Sequence, residues 1–221
     1  WLFMAGQWTK EERKRLIVIV VLFAGAAVFW SAFEQAASTL NLFAAQNTRN
    51  SIFGWTFPSS WFQSVNALMI IIFAPVFAWI WISLGKRDPS SPAKFAFGLV
   101  SVGLGFVVMV GAAQASANGV LVSPMWLVLT YLLHTIGELS LSPVGLSSMT
   151  KLAPDRVKGM MMGVWFLAAS VGNLIAGGVL RFYADFTLPQ VFGAVAAFAI
   201  IAGLVMFALV LPIKRMMART D

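Results

Sequence analysis

Apolar residues run in long unbroken stretches along this chain, separated by short polar breaks. The stretches predict helices near residues 14–44, 59–84, 94–115, 124–151, 157–181 and 188–212. Each reaches the roughly 17–25 residues that a helix needs to cross a hydrocarbon core of about 30 Å. Membrane strands would instead show as segments of about ten residues with alternating polarity. The continuous runs therefore predict an all-α membrane protein, a six-helix bundle over residues 14–213 with a linker at 1–13 and a tail at 214–221. Three breaks are explicit in the sequence: Asn50 to Pro58, Gly85 to Pro92, and Ala153 to Lys158. The spans form two sets of three that enter the membrane from opposite sides, the arrangement of an inverted repeat in secondary transporters.

Composition strengthens this picture. The chain is 60% hydrophobic and 10% charged, where roughly a quarter of a soluble protein is charged. With no cysteine and one histidine there is neither a disulfide framework nor a zinc cluster, so no metal is expected. Residues Trp1 to Gln7 lack the cationic start, apolar region and cleavage site of a signal peptide. A chain opening on Trp1 is expected to be a segment of a longer protein.

Charge then sets the orientation. Thirteen of the fifteen basic residues fall at one membrane face: Lys10, Arg13, Lys14 and Arg15; Lys86, Arg87 and Lys94; Lys151, Arg156 and Lys158; Lys214, Arg215 and Arg219. The opposite face has Arg49 and Arg181. The positive-inside rule makes the first face cytoplasmic and puts both ends of the segment there. The net charge of +7 reads as this asymmetry, facing lipid headgroups, and no clustered basic and aromatic surface points to nucleic acid.

Of the eight acids, Glu34 and Glu138 alone fall inside predicted spans, without a basic residue beside them. A charge at the centre of a membrane helix costs roughly 2.5–3.5 kcal/mol on insertion scales. The simplest resolution is a second half of the protein whose arginine or lysine side chains meet these carboxylates across a cavity. Both lie well inside the membrane at about 1.5 Å per residue, each in the first helix of its three-helix set. Such corresponding placement suits a substrate or ion site at a repeat interface. A carboxylate withdrawn from water can accept a proton, and one near a cation can bind a substrate ammonium.

Helical spacing supplies neighbours. Trp30, Glu34, Ser38 and Asn41 are predicted on one face, and His134, Glu138 and Ser142 on another. For His134 the packing role is favoured over a chemical one. Gln63 and Asn66 on the second span are either interhelix ties or the lining of a polar site. Trp30, Trp165 and Phe33 read alone as lipid or core packing. Pro143 cannot donate to the carbonyl of Leu139 and Gly145 follows it, so a kink and a gating hinge are expected there. Pro75 offers a weaker break.

The stretch Gly137-Glu-Leu-Ser-Leu-Ser-Pro-Val-Gly-Leu-Ser-Ser-Met-Thr-Lys-Leu-Ala-Pro154 resembles the signature of the proton-dependent oligopeptide transporter family of the major facilitator superfamily. Trp30-Ser-Ala-Phe-Glu-Gln35, Gln63-Ser-Val-Asn66 and Gly163-Val-Trp-Phe-Leu-Ala-Ala-Ser-Val-Gly-Asn173 extend the resemblance in family order across essentially the whole chain. It implies the carboxy-terminal half of a twelve-helix-core fold in a bacterial inner membrane, a di- or tripeptide substrate, and a proton gradient in place of any cofactor. It also implies an amino-terminal six-helix partner half. Glu34 then corresponds to the carboxylate of proton coupling and Glu138 to the one that receives the peptide amino terminus, with Asn66 assisting. Ser142, Trp165, Trp30 and Phe33 match positions that line or pack the substrate site. Gln35 stands where some members carry a second acid, implying one titrating carboxylate in that helix. A carrier of nitrate or another small solute on the same fold stays open at this point, as does a channel or structural membrane subunit. No enzyme is expected, because no acid pair, serine with a base or metal cluster is recognisable.

Overall fold

The computed structural model describes residues 7–183 and 185–217. The expected linker and tail therefore lie partly outside the described residues, at 1–6 and 218–221. Among the described residues, six spans are long and apolar enough to cross a membrane. The first is built from α1 (Lys10–Phe33), a 3-10 turn (Glu34–Ala37) and α2 (Thr39–Asn47); the others are α3 (Phe62–Leu84), α4 (Ser91–Ala115), α5 (Met125–Leu152), α6 (Met161–Leu180) and α7 (Leu188–Met217).

Helix α1 begins at Lys10, four residues before the expected start, because Thr9 and Glu12 form a capping box. The Glu12 amide donates to Thr9 Oγ1 at 3.2 Å and the Thr9 amide donates to the Glu12 carboxylate at 2.8 Å, satisfying two amides that no helical turn reaches. Helix α7 likewise runs to Met217 with Pro212 inside it. The loop from Asn50 to Pro58 holds an antiparallel hairpin, β1 (Ser51–Ile52) and β2 (Trp55–Thr56), with Ser51 opposite Thr56 and Ile52 opposite Trp55. Its turn residues Phe53 and Gly54 have φ of 51° and 82°. A parallel bridge between Thr48 and Val122 ties this loop to the one preceding α5.

The expected single helix over 14–44 is broken. At Ser38 the backbone turns to φ −122°, ψ −95°. Buried Gln35 makes the break tolerable: its Nε2 donates to the carbonyls of Ser31 at 3.2 Å and Ala176 at 3.4 Å, and its Oε1 accepts from Ser38 and Thr39 at 3.3 and 2.9 Å. One side-chain amide thus replaces bonds that the missing helical turn would have made, as an apolar surrounding requires. Periodicity alone could not show this, because the residues on both sides of the break are equally apolar.

The main helix pairings follow a two-fold exchange of α1 with α5, α3 with α6 and α4 with α7, although the pairing of α1 with α4 has no comparable counterpart between α5 and α7. Helix α1 packs on α6 as α5 packs on α3, α1 on α7 as α5 on α4, and α4 and α7 make the most extensive pairing between themselves. This is the arrangement the 3+3 reading of the sequence predicts. Lipid offers no hydrophobic drive for association between helices, so the pairs rest on close packing through small residues. A Cβ on Gly98 would lie 2.9 Å from the Gly137 carbonyl, and one on Gly137 would lie 2.8 Å from the Gly98 carbonyl. Ser101 Oγ adds a bond from α4 to the Leu133 carbonyl of α5 at 2.8 Å. On the outside, α3 exposes Leu68, Ile71, Ile72, Trp79 and Ile82.

The mutual seat of Gly98 and Gly137 yields a stability prediction. Gly137→Ala is expected to force α4 and α5 apart and cost about 1–3 kcal/mol. Gly177→Ala, at a position with open space, is expected to be neutral or slightly stabilising. Thermal melting of the two variants beside the wild-type full-length protein checks the contrast.

Candidate functional site

The two carboxylates sit on the facing helices of the repeat, in different settings. Glu138 lies in the unbroken helix α5, half-buried, and Asn66 Nδ2 of α3 donates to its Oε2 at 3.2 Å. Thr135, one turn earlier on α5, donates to Asn66 Oδ1 at 2.6 Å while also lying 2.8 Å from the Tyr131 carbonyl. An amide oxygen only accepts, so the Thr135 hydroxyl, where it donates to Asn66, fixes which end of the Asn66 amide faces the carboxylate. Thr135 was not among the expected residues. Its spacing of three from Glu138 was the available signal, and a mid-helix threonine is ordinarily read as bonding its own helix.

Glu34 opens the 3-10 turn, half-buried, where a continuous helix was expected. The Asn173 side chain of α6 lies near its carboxylate, and the Glu34 and Glu138 carboxylates lie in electrostatic range of each other. The two ion pairs among the described residues, Lys14–Glu11 and Lys94–Asp88, involve neither.

The aromatic candidates separate into two groups. Phe33 stacks on Phe29 at 5.7 Å, meets Trp30 at 5.2 Å and reaches the His134 ring of α5 at 6.1 Å, so Phe33 stands between Trp30 and α5. The backbone of α1 comes close to α6 here, since a Cβ on Gly172 would lie 2.8 Å from the Ser31 amide. Trp165 is nearly buried, lies against Gly145 and meets Phe95 edge-on at 6.4 Å. Ser142 Oγ is buried and without a hydrogen-bond partner among the described residues, as is the Trp30 indole nitrogen.

His134 does not share a polar face with Glu138 and Ser142. Four-residue steps drift by about 40° each on a helix of 3.6 residues per turn. The drift turns His134 toward α4, where its ring is fully buried 5.1 Å from Phe106, over Gly105, whose Cβ would lie 2.6 Å from the ring. The Trp30, Glu34, Ser38 and Asn41 stripe is also interrupted, since Ser38 bonds Gln35 instead. Pro143 is exposed within a helix that continues to Leu152, and Pro75 sits inside α3 in the same way. Gln63 is exposed at the start of α3.

Comparison with known proteins places this geometry. Residues 2–198 match the model of the POT family. A peptide transporter of Yersinia enterocolitica is 45% identical over 228 residues, covering 100% of this chain and 45% of that protein. A di-/tripeptide transporter of Lactococcus lactis subsp. cremoris is 33% identical, covering 98% of this chain and 44% of that protein. A crystal structure of a peptide transporter in complex with sulfate superposes with a TM-score of 0.92 at 41% identity, over 97% of this chain and 43% of that one. Another POT structure, with 5-aminolevulinic acid, gives 0.85 at 32% identity, over 93% and 43% of the two chains. The chain spans less than half the length of these relatives.

The Thr135–Asn66–Glu138 chain of bonds predicts coupling. Thr135→Val and Asn66→Ala are each expected to destabilise the folded protein, and the double variant is expected to lose less than the two losses together, by about 0.5–3 kcal/mol. Denaturation of the four proteins in one detergent measures the coupling; strict additivity would break the network into independent contacts.

Proposed function

The chain belongs to the POT family, a family of transporters and not of enzymes, and from that premise we propose that it forms the carboxy-terminal six-helix half of a proton-coupled carrier of di- and tripeptides. The observation that carries the reading is the pair Glu34 and Glu138, held in electrostatic range inside an apolar bundle with an asparagine from a different helix at each.

Glu138 receives the peptide amino terminus. An ammonium is donor-only, so its site must be made of acceptors, and Asn66 occupies Oε2 while leaving Oε1 open. Asn66 steadies the carboxylate, and Thr135 steadies Asn66. Trp30 and Phe33 wall the site on the α1 side, while Ser142 and Trp165 line it further along α5. Glu34 is the proton-coupling group: its protonation weakens an ion pair with a cation of the amino-terminal half, and the two halves rock between states that open to opposite sides. Gly145 gives Trp165 its seat two turns beyond Glu138, and with Pro143 it forms the hinge of the gate. The proton gradient supplies the drive and no cofactor is needed. The exposed faces of α3 and α6 meet the other half and lipid. The basic loops support an orientation with both ends of the segment on the cytoplasmic side of a bacterial inner membrane.

Uptake of labelled dipeptide into proteoliposomes holding the full-length protein tests this. Wild type is expected to accumulate peptide only under an imposed proton gradient. Glu138→Gln is expected to weaken dipeptide affinity by about ten- to a hundredfold, the worth of a hydrogen bond to a charged group, and to bind an N-acetylated dipeptide no worse than wild type does. Glu34→Gln is expected to lose gradient-driven accumulation while still exchanging peptide across the membrane. Undiminished uptake by Glu138→Gln would reduce that residue to an interhelix tie, and absence of uptake by wild type would point to another solute.

A further inference from the structure

At the end of the bundle that carries most of the basic residues, four helix termini surround a cleft of about 790 Å³. Helices α1 and α4 begin there and α5 and α7 end there, so their backbone dipoles oppose one another and largely cancel. Side chains then set the sign. Arg15, Lys94, Lys151 and Lys214 line the cleft, one from each helix, with the hydroxyls of Ser90 and Ser91, and none of the lining residues is acidic.

Two of these cations are partly matched from outside the cleft. Lys94, over nine-tenths buried, is fixed by Asp88 at 2.7 Å and by the Trp81 ring at 4.3 Å. Glu12 interacts with Arg15 and Arg156 along the neighbouring surface. Yet Arg15 Nε is buried with no hydrogen-bond acceptor among the described residues, and neither Lys151 nor Lys214 takes part in an ion pair there. An unmet guanidinium N–H beside three ammonium groups is an arrangement that a compact multivalent oxyanion completes, since arginine and lysine both donate to its oxygens.

We propose that this cleft binds a phosphate group, with the Arg15 guanidinium and the Lys94, Lys151 and Lys214 ammoniums as donors. Basic pockets between membrane helices at the cytoplasmic level are suited to anionic headgroups, and a free inorganic phosphate would offer the same chemistry. The bound group would tie the end of α5 to α1, α4 and α7. This site is separate from Glu34 and Glu138 and stands whether or not the carrier's substrate is a peptide.

Native mass spectrometry and thermal melting of the full-length protein in neutral detergent test the proposal. The probes are phosphatidylglycerol, phosphatidylcholine and inorganic phosphate. Phosphatidylglycerol is expected to be retained and to raise the melting temperature, while phosphatidylcholine does neither. The double variant Lys151→Gln, Lys214→Gln should bind phosphatidylglycerol on the order of tenfold more weakly, each basic group near an anionic surface contributing a several-fold factor. The control Lys86→Gln, Lys158→Gln, with the same change in charge at exposed positions outside the cleft, should bind like wild type. Competition by millimolar inorganic phosphate, with equal stabilisation by it alone, assigns the cleft to soluble phosphate; its absence assigns it to the lipid headgroup. Equal weakening in both double variants, or no discrimination between the two lipids and no effect of phosphate, overturns the site.

Discussion

A carboxylate in hydrocarbon must be protonated, hydrated or paired, and the arrangement of Glu34 and Glu138 follows from that constraint. Each is placed where a second helix can offer an amide: Asn66 of α3 for Glu138, Asn173 of α6 for Glu34. Under the exchange that maps α1 onto α5, α3 maps onto α6, so the two amides come from equivalent helices of the repeat. An amide N–H can donate to a carboxyl oxygen in either protonation state, since the neutral acid keeps acceptor capacity. It therefore holds the carboxyl in place without fixing its charge, as a group that must gain and lose a partner requires.

The same constraint explains how the bundle packs. Helices that meet through Gly98 and Gly137 approach until backbone carbonyls limit them. Close approach lets short side chains such as Ser101 reach a neighbouring carbonyl, and each such bond is more persistent for having no water to compete with it. Bulky residues such as Phe29, Phe95 and Phe106 fill the space between these close contacts, while Ile71, Trp79 and Ile82 of α3 stand exposed on the outside.

Span count, the distribution of basic loops and the two intramembrane carboxylates were legible because each is a property of residue type along the chain. The break at Ser38 was not, since the helix stops there for a reason supplied by Gln35 and by the Ala176 carbonyl, 141 residues away from it. Thr135 was missed for a related reason: its bond to its own helix and its bond to Asn66 are made by one hydroxyl, and sequence spacing sees only the first. His134 was correctly expected to pack, yet its face was not, because a four-residue stripe ignores the drift that turns it onto Gly105. Contacts between elements, unlike the elements themselves, leave little trace in a single sequence.

The difference between the two carboxylates bears on how a carrier could use them. Glu138 is on a helix that continues for more than three turns beyond it, past Pro143 and Gly145 to Leu152, so displacement of the carboxyl can be passed along a rigid rod until the proline. Below that point Trp165 and Phe95 bear on Gly145 from α6 and α4, and any swing of the α5 end must repack both rings. Glu34, by contrast, sits at the junction of α1 with a short 3-10 turn, where the Ser38 amide bonds the Gln35 carbonyl three residues back and the Gln35 side chain supplements the backbone bonds. A change of charge there acts on a junction already freed from helical geometry, which costs less to rearrange than an intact turn. In the proposed cycle the proton would thus act where the backbone yields and the peptide where it transmits, a division of labour that follows from the local structure around each carboxyl and not from any difference between the carboxyls themselves.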